Sequence, residues 1–300
     1  MIDPRRLEVL REVATRGSFS AAARALYLTQ PAVSRHVAKL EEEIGMRLLE
    51  RTPHGLHLTD AGEALVARAD AIAAQLVAAD AELRALRDLE DGALRLAAFP
   101  SAAVSFVLDA MTAFHRRHPK VELTFEESGP SATTRRLREG ELDVGVVFDR
   151  PDEAGETPAG LERMHLLEDP MFVALPKTHR LAGTASVKLR DLARDGWIMG
   201  KQPQGLIWRT CVEAGFEPRA VARSDDSQIN QGLVAAGLAV TLVPGLARQR
   251  ARTDIVLLPV RPRRVMRVVS ALVLEGPRKP PAVVEMLALL RRHAAKRVER

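Results

Sequence analysis

Gly17-Ser18-Phe19-Ser20-Ala21-Ala22-Ala23-Arg24-Ala25-Leu26-Tyr27-Leu28-Thr29-Gln30-Pro31-Ala32-Val33-Ser34-Arg35-His36-Val37-Ala38-Lys39-Leu40 reads as two short helices set at an angle. Ser20 is a good N-cap for a compact helix over Ala21–Leu26, whose alanines let another helix pack closely. Tyr27-Leu28-Thr29 makes a tight connection. Thr29 is expected to cap the next helix, with Pro31 in its first turn, where a missing N–H costs little. Val33, Val37, Leu40 and Ile44 then recur at helical spacing and form one buried stripe. The opposite face carries Gln30, Ser34, Arg35 and Lys39. Gln, Ser and Arg on the outer N-terminal face of a helix suit the reading of base edges in a major groove.

These residues resemble the LysR-type transcriptional regulators. The likeness lies in Gly17–Ala23, in Thr29-Gln30-Pro31-Ala32-Val33-Ser34-Arg35 and in Leu40-Glu41. It continues through Leu48-Leu49-Glu50-Arg51-Thr52 and Leu58-Thr59-Asp60-Ala61-Gly62, and more loosely to the C-terminus. The resemblance implies an α/β protein with an N-terminal all-α winged helix-turn-helix at 1–58 and a long linker helix at 59–91. A two-lobed, periplasmic-binding-protein-like effector domain would follow at 92–300. The chain would cross between lobes twice, with lobe I at about 92–166 and 265–300 and lobe II at about 167–264. The implied partners are double-stranded operator DNA, a small-molecule effector (typically an anionic metabolite), further copies in a homodimer or homotetramer, and RNA polymerase. Whether the chain activates or represses is left open.

Composition bounds this reading. A chain of 300 residues suggests two or three domains, and 46% hydrophobic content is ample for real cores. The net charge of +5 fits a nucleic-acid binder without identifying one. DNA binding therefore depends on where Arg24, Arg35, Lys39, Arg47 and Arg51 sit. The run Glu41-Glu42-Glu43 is expected to point away from phosphate. The single cysteine, Cys211, excludes an intrachain disulfide or Cys-rich metal site within these residues and reads as a buried thiol. Met1–Arg6 has no apolar stretch behind it, and the apolar run Leu233–Ala247 is too short for a membrane span. A soluble, cytoplasmic protein with no membrane partner is expected.

A first helix is predicted over 4–16, ended by Gly17. After the reading helix, Met46–Arg51 and Leu56–Leu58 flank Thr52-Pro53-His54-Gly55, which is hairpin chemistry. As the wing of the DNA-binding fold, this hairpin would bring Arg51, Thr52 and His54 to the DNA backbone or the adjacent minor groove. His54 reads equally well as a solvated turn residue. Thr59 is expected to cap a long helix reaching about Leu89. Along it Leu65, Ala69, Ile72, Leu76, Ala79, Leu83 and Leu86 alternate by four and three. That is the seam of a dimerising coiled coil, although a single buried helix can carry the same stripe. Twofold symmetry suits two reading helices that must reach successive major grooves.

Past Asp91-Gly92 the pattern becomes strands alternating with helices, which implies a parallel sheet of βαβ units. Strands are predicted at Leu94–Ala98, Val121–Glu126, Asp143–Val147, Met171–Leu175, Ala220–Arg223, Ala239–Val243 and Val265–Leu274. Helices are predicted at Val104–Arg117, Thr133–Arg138, Leu206–Ala214, Ser227–Ala236 and Pro281–Val298, with Val107, Leu108, Met111 and Phe114 forming the buried face of the first. Such sheets bind ligands at strand C-termini and helix N-termini. Phe99-Pro100-Ser101 occupies one such place, where Ser101 offers a hydroxyl to a polar head or caps the helix. Ser128-Gly129, Phe148-Asp149 and Gly200-Lys201-Gln202 are the corresponding positions elsewhere, with Lys201 the available cation.

Three rival classes fit less of the chain. An enzyme is disfavoured because the nucleophile elbow, phosphate-binding loop, dinucleotide fingerprint and His-Glu-x-x-His motif do not occur. His115 and His118 flank two arginines at an exposed helix end, so no metal or cofactor site is expected. A solute carrier leaves the DNA-reading segment unexplained, and an architectural DNA binder leaves the ligand-type fold unexplained.

Overall fold

A computed structural model describes residues 2–52, 55–87, 92–154, 157–202 and 204–298. Helix α1 (Pro4–Arg16) begins where the Asp3 carboxylate accepts the Arg5 N–H, and it ends at Gly17 with φ 60°. Helix α2 (Phe19–Ala25) starts earlier than expected. Its cap is Ser18, not Ser20, because Ser18 is the last extended residue (φ −157°) and its hydroxyl accepts from the Ala21 N–H. Tyr27, in the left-handed region at φ 54°, turns the chain sharply into α3 (Gln30–Ile44). Thr29 is the cap residue of α3 by backbone conformation, with no side-chain hydrogen bond. Val33, Val37 and Leu40 of α3 are buried in the cores shared with α1 and α2, and Ile44 is partly buried.

The hairpin pairs β1 (Leu49–Thr52) antiparallel with β2 (Gly55–Leu58). Glu41 and Glu43 do not simply project into solvent as the acidic run suggested. Glu41 accepts the Leu48 N–H at 2.8 Å, and Glu43 pairs with Arg6. Helix α4 (Asp60–Arg87) is capped as expected, the Thr59 hydroxyl accepting from the Gly62 N–H at 3.1 Å. Gly62 is required there, since a Cβ would stand 2.1 Å from the Leu48 carbonyl oxygen. No described helix is long and apolar enough to cross a membrane.

The remaining chain builds a mixed sheet, and the all-parallel expectation is corrected. Strand β3 (Ala93–Ala98) lies parallel to both β4 (Glu122–Glu127) and β5 (Val144–Asp149). Strand β6 (Leu161–Pro176) and β11 (Met266–Leu274) are the exceptions. β11 runs antiparallel to both β5 and β6. The reason is that β6 is one long strand that leaves the first lobe for the second. Its first part pairs with β11, and Met171–Pro176 pairs with β9 (Thr241–Pro244) and β10 (Ile255–Pro259). The polar residues Glu162, Arg163, His165, Glu168 and Asp169 hide this first part from an apolar-run search. Strand β7 (Gly196–Met199), also missed, runs parallel to β8 (Arg219–Arg223).

One helical run begins at Pro100, four residues before the expected start. It comprises α5 (Pro100–Ala102), a π-helical turn (Ala103–Val107) and α6 (Leu108–Arg117). Val107 and Phe114 are buried as expected, but Leu108 is exposed. The π-helical turn adds a residue to the helical register, which rotates positions beyond it. Helices α6 and α10 (Pro281–Val298) share one core with the sheet, and α7 (Pro130–Arg138) shares another with it. The second lobe packs α8 (Leu206–Glu213) and α9 (Ser227–Ala235) around Trp197 and Ile198.

Candidate functional site

Helix α3 buries its apolar stripe and leaves Gln30, Pro31, Ser34, Arg35 and Lys39 exposed together on the other side. Among the described residues neither Arg35 nor Lys39 has an ion-pair or hydrogen-bond partner, so both cations are available to an incoming ligand. Tyr27, 97% exposed in the turn before α3, adds a large aromatic ring beside this face. Its signal was a bulky residue in a tight turn, and sequence reasoning passed over it. Backbone positions 51 and 52 lie in β1. His54 falls outside the described residues, as do the side chains of Arg51 and Thr52.

The α4 seam divides in two. Ala69 is buried and Leu65 is packed against Leu7, Leu10, Leu40 and Leu48 of the same chain. These two are therefore corrected: they anchor the linker helix to its own DNA-binding domain. One turn further along, Ile72 is 47% and Leu76 67% exposed, and Ala79 is exposed as well. Ile72 and Leu76 line a shallow apolar groove with Arg68, Ala71 and Gln75. The side chains of Leu83 and Leu86 lie outside the described residues.

Between the lobes, Ser101 sits at the start of the Pro100 helix. The extended residue before that helix is Phe99, so Ser101 does not cap it. Its hydroxyl instead accepts from Arg267 Nη2 at 2.6 Å. Arg267 occupies the strand crossing, where Asp169 of β6 is its register partner. Asp169 Oδ2 accepts from Arg267 Nε at 2.8 Å, and its Oδ1 accepts the Leu246 N–H at 2.9 Å. Both side chains are buried, and burial lowers the Arg267 pKa while Asp169 opposes that shift. The guanidinium carbon lies 4.7 and 4.6 Å from the centroids of the Phe99 and Phe148 rings, which meet edge to face 4.9 Å apart.

Several expected cleft residues therefore have structural duties. Phe99 is buried beneath the surface and supports Arg267. Asp149 is paired with Arg163 at 2.5 Å. Pro100, Ser128 and Phe148 are partly buried, and Gly129 is exposed. Lys201 is exposed, its N–H held by Asp225 at 3.1 Å, and Gly200 lies against the same carboxylate. Gln202 reaches across the cleft, donating from Nε2 to the Ser131 hydroxyl at 2.8 Å. Arg150–Glu213 and Arg209–Glu153 tie α8 to the loop after β5. Arg267 and Asp169 were not anticipated; the available signal was a lone charge inside Val265–Leu274.

Two family models cover this architecture. Residues 4–63 match the bacterial regulatory helix-turn-helix protein, lysR family, and residues 87–295 match the LysR substrate binding domain. The chain belongs to the LysR family. It is a LysR-type DNA-binding transcriptional regulator with an effector-binding domain. It is 30% identical to the HTH-type transcriptional regulator AlsR of Bacillus subtilis strain 168, over 84% of this chain and 83% of that one. It is 28% identical to the DNA-binding transcriptional dual regulator OxyR of Escherichia coli K12, over 88% of each chain. Full-length CbnR, solved in complex with its target DNA, superposes with a TM-score of 0.54 at 25% identity, covering 97% of this chain and 99% of that one.

Proposed function

We propose that this LysR regulator reads operator DNA through Gln30, Ser34, Arg35 and Lys39 of α3. Pro31 starts the helix, and the wing residues Arg51, Thr52 and His54 hold the DNA backbone. The observation that carries this reading is the pair of exposed cations on the polar face of α3, without partners among the described residues, opposite the buried Val33, Val37 and Leu40. A helix so arranged presents hydrogen-bonding groups to base edges at no cost to its own packing. The outward residues Ile72, Leu76 and Ala79 of α4 support dimerisation by a second copy, with Leu83 and Leu86 continuing the seam. The protein acts in the cytoplasm as a regulator and performs no catalysis.

A small molecule held between the lobes, against Ser101 and Phe148 and beneath Gln202, governs the DNA-bound assembly. The Gln202–Ser131 hydrogen bond supports this role, because it joins a loop of the second lobe to the start of α7 in the first. Relatives of this chain include hydrogen-peroxide-inducible genes activators. Thiol chemistry is not the signal here, since Cys211 is buried and its thiol is pushed up to about 12. The test is binding of the purified chain to its own upstream DNA, with and without a metabolite library. Salt-sensitive, sequence-specific binding that shifts with one compound supports the reading. Binding that is indifferent to sequence contradicts it.

A further inference from the structure

We propose that helix α7 couples the second lobe to the DNA-binding domain, and that Asp70 is the positioning residue that joins that domain to it. The two ends of α7 are held by different parts of the chain. Ser131, in its first turn, accepts from Gln202 Nε2 of the second lobe at 2.8 Å. Arg138, its last residue, lies 3.7 Å from Asp70 of α4, and Asp70 also accepts from Arg11 of α1 at 2.7 Å. The two contacts stand about 10 Å apart along the helix axis. The coupling goes beyond the reading of α3 as the DNA-binding helix and rests on it only for the effect on DNA.

One side of α7 is packed tightly and the other loosely. Thr133 and Leu137 are fully buried against the sheet. Gly145 of β5 admits them, since a Cβ there would stand 2.3 Å from Thr133 Cγ2 and 2.9 Å from Leu137 Cδ1. Arg138 is fixed as well, its Nε donating to the Ala159 carbonyl at 3.1 Å. The helix therefore moves as a rigid piece. Its joint with the DNA-binding domain surrounds a cavity of about 560 Å³ lined chiefly by charged side chains, with Leu26 and Pro130 the apolar exceptions. An interface held by ion pairs around a gap, with little apolar burial, shifts at small cost. The DNA-binding domain thus keeps its place only while α7 presents Arg138 to Asp70. In that docked arrangement the polar face of α3 stays exposed and open to DNA. A domain already held in orientation gives up less freedom when it binds.

The experiment uses the full-length protein, first without DNA. Amide hydrogen exchange is compared between the native chain and Gln202→Ala, each checked for cooperative unfolding. Exchange should rise about threefold or more in α7, in α1 and in α4 around Asp70. It should stay unchanged in α6, which packs in the other core of the first lobe. A rise confined to α7, or one that reaches α6 equally, overturns the proposal. Operator affinity by fluorescence anisotropy then closes a double-mutant cycle. Asp70→Asn and Gln202→Ala should each weaken operator binding about five- to tenfold, and the two together no more than either alone. Asp70→Glu, which keeps the charge, should retain near-native affinity and so separates the ion pair from a packing role. Additive losses, or native affinity in either single variant, also overturn it. Should the native chain bind all DNA alike, the reading of α3 fails and the exchange result alone decides the coupling.

Discussion

Cys211 on α8 is buried, and desolvation alone moves its thiol from an ordinary 9.0 to about 12. A thiol so placed stays protonated near neutrality and does not react. Iodoacetamide at pH 8 should leave the native chain unmodified and label it once after denaturation. Rapid labelling of the folded protein would contradict the packing. Above pH 9.0 only the unfolded chain ionises this thiol, so its contribution to stability is lost as the pH rises from 9.0 toward about 12. The Arg267–Asp169 pair has a different sensitivity. Arg267→Met should cost about 3–5 kcal/mol in urea unfolding by stranding a buried carboxylate. The Arg267→Met/Asp169→Leu double variant should recover most of that loss. Ser101 could be singled out as a candidate because it follows a strand and starts a helix. Arg267 was not, because nothing in Val265–Leu274 reveals that its charge meets Asp169 across the lobe crossing.

Helix α4 shows what periodicity can and cannot say. The four-three alternation located the apolar stripe from Leu65 onward, but the stripe divides into a packed part and an exposed part. Leu65 and Ala69 pack within the chain, and Ile72 and Leu76 face outward. Ile72→Asp should therefore leave the fold intact and reduce the particle mass in sedimentation equilibrium. A burial cost of several kcal/mol against a partner helix is enough to dissociate a coiled coil. An unchanged mass would refute the seam. Gly62, where α4 passes the Leu48 carbonyl, gives a second check. Gly62→Ala should lower stability by about 1–3 kcal/mol, because backbone must shift to admit the methyl group. The sequence announced a glycine in the first turn without saying what lay against it.

At the scale of the whole molecule, the helix-turn-helix and the alternation of strands and helices were readable, because local patterns specify both. The antiparallel course of β6 and β11 was not, since it follows from two passages between lobes that no local pattern records. The contact of α1 and α4 with α7 was equally hidden. Asp70 of α4 accepts from Arg11 of α1 at 2.7 Å and lies 3.7 Å from Arg138 of α7. These residues border a cavity of about 560 Å³ between α1, α4 and α7. Asp70→Asn should lower the melting stability by about 1 kcal/mol, less at high salt, because the three side chains are partly exposed. The central claim is that α3 reads base edges, and fluorescence anisotropy on operator and random duplexes, with native protein and Arg35→Ala, tests it most directly. Operator affinity should fall by about 1–3 kcal/mol while affinity for random DNA changes little. Equal losses on both duplexes would reduce Arg35 to a phosphate contact and contradict the account.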